Sequence, residues 1–170
     1  MFQLVIVVIA IVLLALVVAG GVSYLNGSLG LRTEFDQALR SQHNTIRSAI
    51  SSFRVANHGF VPQDIQQLNG FLPKGGLPIL PRGMNPVRWE IIDDGSGSRR
   101  LCLTRTAEPI KNPVADAIAQ FAAFRTKELG AAVHYAAGTC DDAVGSDLAV
   151  ENLATFLLEN PNVSVLFEEI

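Results

Sequence analysis

Few residues of this chain have the type and spacing that catalysis requires. The histidines His43, His58 and His134 lie far apart in sequence, and none has a second ligand at a metal-site spacing. No serine stands in the G-x-S-x-G pattern of a nucleophile elbow. We expect His43 on the polar side of the first helix and all three histidines in surface or structural roles. The sequence therefore predicts no catalytic residues and no enzyme.

Two pairs of aspartates, Asp93-Asp94 and Asp141-Asp142, stand in predicted turns. Carboxylate oxygens are the ligands that calcium prefers, which makes a calcium loop the alternative here. Neither pair extends into the twelve-residue pattern of a calcium-binding loop. We interpret both pairs as solvated turn residues, and no metal or cofactor is predicted.

Cys102 and Cys140 are the only cysteines, and they match neither a C-x-x-C redox pair nor a zinc-ligand spacing. In an oxidising compartment they would form one disulfide across a loop of about 40 residues, adding about 3–4 kcal/mol of stability. The alternative is two unpaired, buried thiols.

The composition limits the possible partners. The chain has 170 residues and a net charge of −3, and no basic tract appears, so nucleic-acid binding has no electrostatic support. After an N-terminal anchor, the remaining length suffices for one compact domain. We divide the chain into a transmembrane and assembly helix, residues 1–25, and an extracytoplasmic domain, residues 26–170.

The N-terminus can sit in lipid. Every residue from Leu4 to Ala19 is apolar, and Arg32 is the first charged residue. A helix over residues 1–25 would be about 37 Å long, enough to cross a bilayer. A cleaved signal peptide is one alternative, although no basic residue precedes the apolar run and the run is long for a signal core. A plain membrane anchor is the other. Gly20-Gly21 predicts a bend or local melting.

The apolar helix continues as an amphipathic one. From Leu31, apolar residues recur at steps of four, four, seven, four and three, which is one stripe of an α-helix. Asn57-His58-Gly59 then stops the helix. We predict that this half packs on a sheet through Phe35, Leu39, Ile46, Ile50 and Phe53.

Shorter elements follow. Residues 64–68 predict a helical turn. Residues 70–87 predict a loop rich in proline and glycine, and its apolar residues, including Ile79, are expected to be covered by the rest of the domain. Residues 87–92 and 99–105 predict a β-hairpin. Helices are predicted from Asn112-Pro113 to Gly130 and from Asp147 to Leu158, and strands over 131–137 and 163–167. This order predicts an α+β domain: a long N-terminal spine helix packed on a small, mainly antiparallel sheet with additional short helices.

The end of the spine helix carries a family resemblance. Residues 49–62 read AISSFRVANHGFVP, and Asp64-Ile65 and Leu68 follow. This segment and the preceding apolar helix resemble type IV pilins and type II secretion pseudopilins, in which an aliphatic-aromatic helix end is followed by glycine, an aromatic residue and proline. The resemblance implies that Cys102 and Cys140 frame a C-terminal disulfide loop. It also implies an inner-membrane location before assembly and a periplasmic or surface filament afterwards.

Two features depart from the family pattern. These proteins usually have a glutamate at the fifth mature position, which offsets a neighbouring subunit's terminal amine; here positions 5 and 6 are Val5 and Ile6. Burying that amine without a partner would cost several kcal/mol. The family's short basic leader ending in glycine is also not visible, so either Met1 begins a mature chain or the chain is not processed. The missing glutamate indicates a minor or tip subunit.

The expected function is therefore a structural subunit of a type IV pilus or pseudopilus-like filament. Its expected partners are other pilin or pseudopilin subunits, an inner-membrane assembly platform and, before assembly, membrane lipid. The loops at 70–86 and 138–146 are the expected variable surfaces. The alternative is a periplasmic binding or accessory domain tethered by a membrane helix. The expected assembly residues lie in the apolar helix: Phe2, Leu4, Val5, Ile6, Ile9, Leu13 and Leu16.

Overall fold

The chain folds as an α+β protein in a computed structural model. The structure describes residues 2–83, 87–93, 97–105, 112–129, 134–137, 140, 150–160 and 163–170. The helices are α1 (Phe2–Ala56), a short 3-10 helix (Ile65–Leu68), α2 (Asn112–Leu129) and α3 (Val150–Glu159). The strands are β1 (Val87–Asp93), β2 (Arg99–Arg105), β3 (His134–Ala137) and β4 (Val163–Glu169).

Helix α1 is a single element of 55 residues. It passes through Gly20-Gly21 without interruption, so the prediction of local melting there was wrong. A cooperative helix tolerates two glycines at about 1 kcal/mol each when the turns on both sides propagate through them.

The predicted helix stop occurs at the predicted residues. His58 and Gly59 adopt positive φ angles of 53° and 91°, and the Gly59 N–H donates to the carbonyl of Arg54 at 2.8 Å. This bond reaches back five residues, which is typical of a left-handed C-terminal cap. The Asn57 side-chain amide donates to the carbonyl of Phe53 at 2.8 Å. The chain therefore turns away from α1 at the Asn57-His58-Gly59 sequence.

The four strands form one antiparallel sheet in the order β1-β2-β4-β3. The β1–β2 hairpin pairs Trp89 with Leu103 and Ile91 with Leu101, whereas β4 inserts between β2 and β3. The C-terminal strand therefore occupies a central position in the sheet.

One face of the sheet packs on the helices. Helix α2 packs on α1, and α3 packs on α2. The main core combines residues from every layer, including Leu39 of α1, Leu101 and Leu103 of β2, Phe121 of α2 and Leu157 of α3. The opposite face of the sheet carries a second, smaller core, consisting of Ile92, Cys102 and Cys140.

Within the described part of the chain, no helix is both long and apolar enough to cross a membrane. Of residues 1–25, only 9–17 have described side chains. The prediction that residues 1–25 form a transmembrane segment therefore falls mostly outside the described residues.

Candidate assembly site

The described apolar side chains of the N-terminal half of α1 are exposed. Ile9, Leu13 and Leu16 have exposed fractions of 53%, 57% and 64%. Every residue from 9 to 17 is exposed, so the apolar surface surrounds the helix completely instead of forming one stripe. The side chains of the other predicted assembly residues lie outside the described residues: Phe2, Leu4, Val5 and Ile6.

The C-terminal half of α1 is built into the domain. Phe35, Leu39, Ile46 and Ile50 are buried, and all four belong to the main core. Phe53 is half-buried and packs edge-on against Phe71, with 5.5 Å between ring centroids. Because α2 lies alongside α1, this stripe packs on a helix as well as on the sheet.

His43 contradicts the prediction that it lies on the polar side of α1. Its exposed fraction is 1%, and its ring lies 5.7 Å from that of Trp89 and 5.3 Å from that of Phe121. Trp89 and Phe121 also pack edge-on, 6.0 Å apart. These three rings, here called the aromatic cluster, join the spine helix, the sheet and α2. His43 therefore has a structural position in the core.

Gln42, beside His43, connects three segments. Its side-chain oxygen accepts a hydrogen bond from the Trp89 indole N–H at 2.9 Å, and its amide nitrogen donates to the carbonyl of Pro78. Pro78 belongs to residues 70–83, here called the strap. Gln42 is buried, so these bonds satisfy a polar side chain inside the domain.

The strap runs down α1 in the direction opposite to the helix. Phe71 contacts Phe53 near the end of α1, and Pro78 lies at the level of Gln42. A Cβ placed on Gly83 would lie 3.8 Å from the Phe35 ring. Ile79 is 93% exposed, so the prediction that it must be covered was wrong. Gly76 and Gly83, which precede and follow Ile79 in the strap, have positive φ angles of 74° and 100°, a conformation that glycine adopts readily.

Replacing Gln42 with leucine is expected to lower the free energy of unfolding by about 1–3 kcal/mol. The substitution leaves the buried indole N–H of Trp89 without this acceptor, and the strap loses its bond to the helix. Denaturant unfolding followed by fluorescence measures the effect, since Trp89 is the only tryptophan.

Gln37 is an exposed glutamine on the same helix and supplies the matched control. Gln37→Leu should change the stability by less than about 0.5 kcal/mol. Equal unfolding midpoints for the two variants would show that the Gln42 bonds do not hold the strap.

An apolar groove opens between the strap, the 3-10 helix and the edge strand β1. Its volume is about 430 Å³, and we call it the Trp89 groove. Gln42, Gln66 and Asn69 contribute uncharged amides to its wall, and Arg88, which forms an ion pair with Glu90 at 2.7 Å, also lines it. Its apolar lining consists of Ile65, Leu72, Leu77, Leu80, Val87 and Trp89.

A polar contact line joins α1 to α2 on the other side of the spine. Arg40 forms an ion pair with Asp36 at 2.8 Å, and its guanidinium lies 3.6 Å from the centroid of the Phe124 ring. Arg32 donates to the side-chain oxygen of Gln120 at 3.1 Å. The two helices are therefore fixed by directional contacts in addition to the core.

Cys102 and Cys140 form the disulfide, as the sequence allowed, and both are buried. Leu101 and Leu103 face the helices, so Cys102 between them projects from the opposite face of the sheet. There the Thr104 hydroxyl lies 2.8 Å from the Cys140 sulfur and donates to Glu90 at 2.7 Å. The disulfide thus attaches a distant part of the chain to the outer face of β2.

Among the residues that the structure describes, no three His, Cys, Asp or Glu side chains are grouped to hold a metal ion. Of the paired aspartates, Asp94, Asp141 and Asp142 lie outside the described residues.

Sequence reasoning missed the inward polar residues Asp36, Gln42 and His43. The spacing of the apolar stripe could have identified Gln42 and His43. The apolar stripe contains a step of seven between Leu39 and Ile46, and the positions three and four residues after Leu39 are Gln42 and His43. Residues at those steps lie on the same helix face as their neighbours in the stripe.

Comparison of the chain with protein-family models, with curated proteins and with solved structures finds no match.

Proposed function

We propose that this protein is a structural subunit, of minor or tip type, in a type IV pilus or pseudopilus-like filament. Before assembly it is inserted in the inner membrane through residues 1–25, with the domain outside the cytoplasm. On assembly the same helix leaves lipid and packs among the helices of other pilin or pseudopilin subunits, delivered by an inner-membrane platform.

The observation that carries the proposal is the division of α1 into two environments. One unbroken helix of 55 residues has apolar side chains exposed at positions 9–17 and a buried apolar stripe from Phe35 to Ile50. A helix that is apolar on all sides needs an apolar environment on all sides, which lipid and a helix bundle both supply. Exposure to water would cost about 25 cal/mol for each Å² of this surface.

Two further features support the details of the proposal. The Cys102–Cys140 disulfide is typical of a domain in an oxidising compartment, which supports an extracytoplasmic location. The apolar part of α1 has no acidic residue to offset a neighbour's terminal amine, which favours a minor or tip position over a major subunit.

The second candidate, a tethered periplasmic binding or accessory domain, is favoured by the Trp89 groove. Its volume of about 430 Å³ and its mainly apolar lining, with a few amides and the charged Arg88, are typical of a small-molecule site. In that case the helix would serve only as an anchor.

Replacing residues 1–25 with an unrelated transmembrane helix of equal length distinguishes the filament subunit from the tethered domain. The filament proposal expects the chimera to stay in the membrane while its recovery in sheared filaments or in membrane assembly complexes falls at least about tenfold, because the packing surface is lost. Quantitative immunoblotting of membranes, assembly complexes and sheared filaments measures both quantities in the host that encodes the chain.

Leu13→Ile in the native helix is the matched control, since it keeps the apolar surface, and it should leave recovery unchanged. Normal recovery of the chimera would contradict the filament proposal and favour the tethered domain. Absence of the native chain from both filaments and assembly complexes would contradict it as well.

A further inference from the structure

The two flanks of the domain carry opposite charges. The strap contacts the side of α1 that bears Ser41, Thr45 and Ser48, whereas α2 contacts the side that bears Arg40. Thr45 and Arg40 lie about 140° apart around the helix. Helix α3 packs on α2, so the strap and α3 lie at opposite ends of the helical layer.

The strap flank is basic. Residues 70–83 include Lys74 and Arg82, both exposed, and no acidic residue. They also include Ile79, whose 93% exposure is the largest among the large apolar residues whose side chains the structure describes. The Trp89 groove lies beside them and is lined in part by strap residues Leu72, Leu77 and Leu80.

The α3 flank is acidic. Residues 150–159 include two glutamates and no basic residue. At the C-terminal end of α3, Leu158 is 40% exposed and Glu159 beside it is exposed. The helix dipole adds a partial negative charge at this end.

We propose that the strap flank of one copy binds the C-terminal end of α3 of a second copy. Leu158 enters the Trp89 groove beside Ile79, and Glu159 faces Lys74 and Arg82. Charge complementarity selects this occupant, because two strap flanks or two α3 flanks facing each other would bring like charges together.

This contact joins two different surfaces, so each bound copy leaves one strap flank and one α3 flank free. Such a heterologous contact repeats only as far as copies of this chain adjoin, so a minor or tip subunit, present in few copies, would form a short row and not a whole filament. The biological role of this contact rests on the proposed filament function. The contact itself, between the domains of two copies, is a separate prediction. Contacts of opposite charge at a partly exposed surface also weaken as salt increases.

Photo-crosslinking of the full chain in detergent micelles tests the contact. Ile79 is replaced by the photoreactive residue benzoylphenylalanine, and copies with normal and heavy nitrogen isotopes are mixed. The expected crosslink joins position 79 of one isotope form to residues 150–159 of the other, and its yield falls as salt is raised.

Charge reversal then tests the pairing. In the first variant, the copy that bears the crosslinker also carries Lys74→Glu and Arg82→Glu, and the crosslinking yield is expected to fall about tenfold. In the second variant, the partner copy carries Glu159→Lys, and the same loss of yield is expected. Mixing the strap-reversed form with the Glu159→Lys form is expected to restore it. Val55→Asp, at a residue that is 83% exposed on α1, is the matched control and should have no effect.

The proposal would be overturned if the crosslinks led to another region or if the charge reversals had no effect. It would also be overturned if the mixed pair did not restore the yield while circular dichroism showed that both variants were folded. Failure of the filament function appears differently. In that case the helix chimera would be recovered normally, whatever the crosslinks at position 79 show.

Discussion

Removing the disulfide through Cys102→Ala with Cys140→Ala is expected to lower the free energy of unfolding by about 3–4 kcal/mol. The two residues are 38 positions apart, and opening a loop of this length restores that much chain entropy to the unfolded state. Because a domain of this size is typically stable by about 5–15 kcal/mol, the variant should lose a large part of its stability.

Denaturant unfolding of the oxidised wild type, the reduced wild type and the double variant measures this effect. The reduced wild type and the variant should unfold at similar, lower denaturant concentrations, and a reductant should not affect the variant. A difference below about 1 kcal/mol between the oxidised wild type and the variant would contradict the prediction.

The location of the disulfide predicts which strands lose stability first when the bond is removed. Cys140 covers Cys102 and Ile92 on the outer face of the β1–β2 hairpin, away from the main core. Hydrogen exchange should therefore accelerate in β1 and β2 before it does in α1. Such a pattern would mean that the bond stabilises the sheet, whereas the spine helix keeps its core without it.

Local signals in the sequence predicted the elements well, because each boundary depends on nearby residues. Asn57-His58-Gly59 ends α1, and Asn112-Pro113 begins α2, as capping chemistry requires. The two predicted strands pair over Val87–Asp93 and Arg99–Arg105, with Trp89 and Ile91 on one face. The α+β class then followed from the order of the elements.

The sequence could not give the relations between distant segments. Nothing near Val163 indicates that the last strand inserts between β2 and β3, because strand order depends on which faces must be buried together. Ile79 was predicted to be covered, and its exposure depends on how the strap, which Gln42 bonds at Pro78, lies against α1. The buried position of His43 likewise depends on rings from β1 and α2.

Replacing Phe121 with alanine is expected to cost about 3–5 kcal/mol, comparable to or larger than the effect of opening the disulfide. Phe121 is 1% exposed and contacts His43 and Trp89, so its loss opens a cavity where α1, α2 and the sheet meet. Denaturant unfolding measures the cost, and the emission of Trp89 reports the altered packing.

Phe124, one turn further along α2, is the matched control. It is half-buried and packs against the Arg40 guanidinium, so Phe124→Ala should cost only about 1 kcal/mol. Equal costs for the two variants would show that the aromatic cluster is no more important for stability than the surface contact.

The same pair of variants links the core to assembly. Helix α2 lies between the spine and α3, so Phe121 helps to set the distance between the strap flank and the α3 flank. In conditions where both variants remain folded, Phe121→Ala should reduce crosslinking from position 79 to α3 more than Phe124→Ala does, although neither residue lies on either flank. If both variants reduced the crosslinking yield equally, the spacing of the two flanks would not depend on the aromatic cluster.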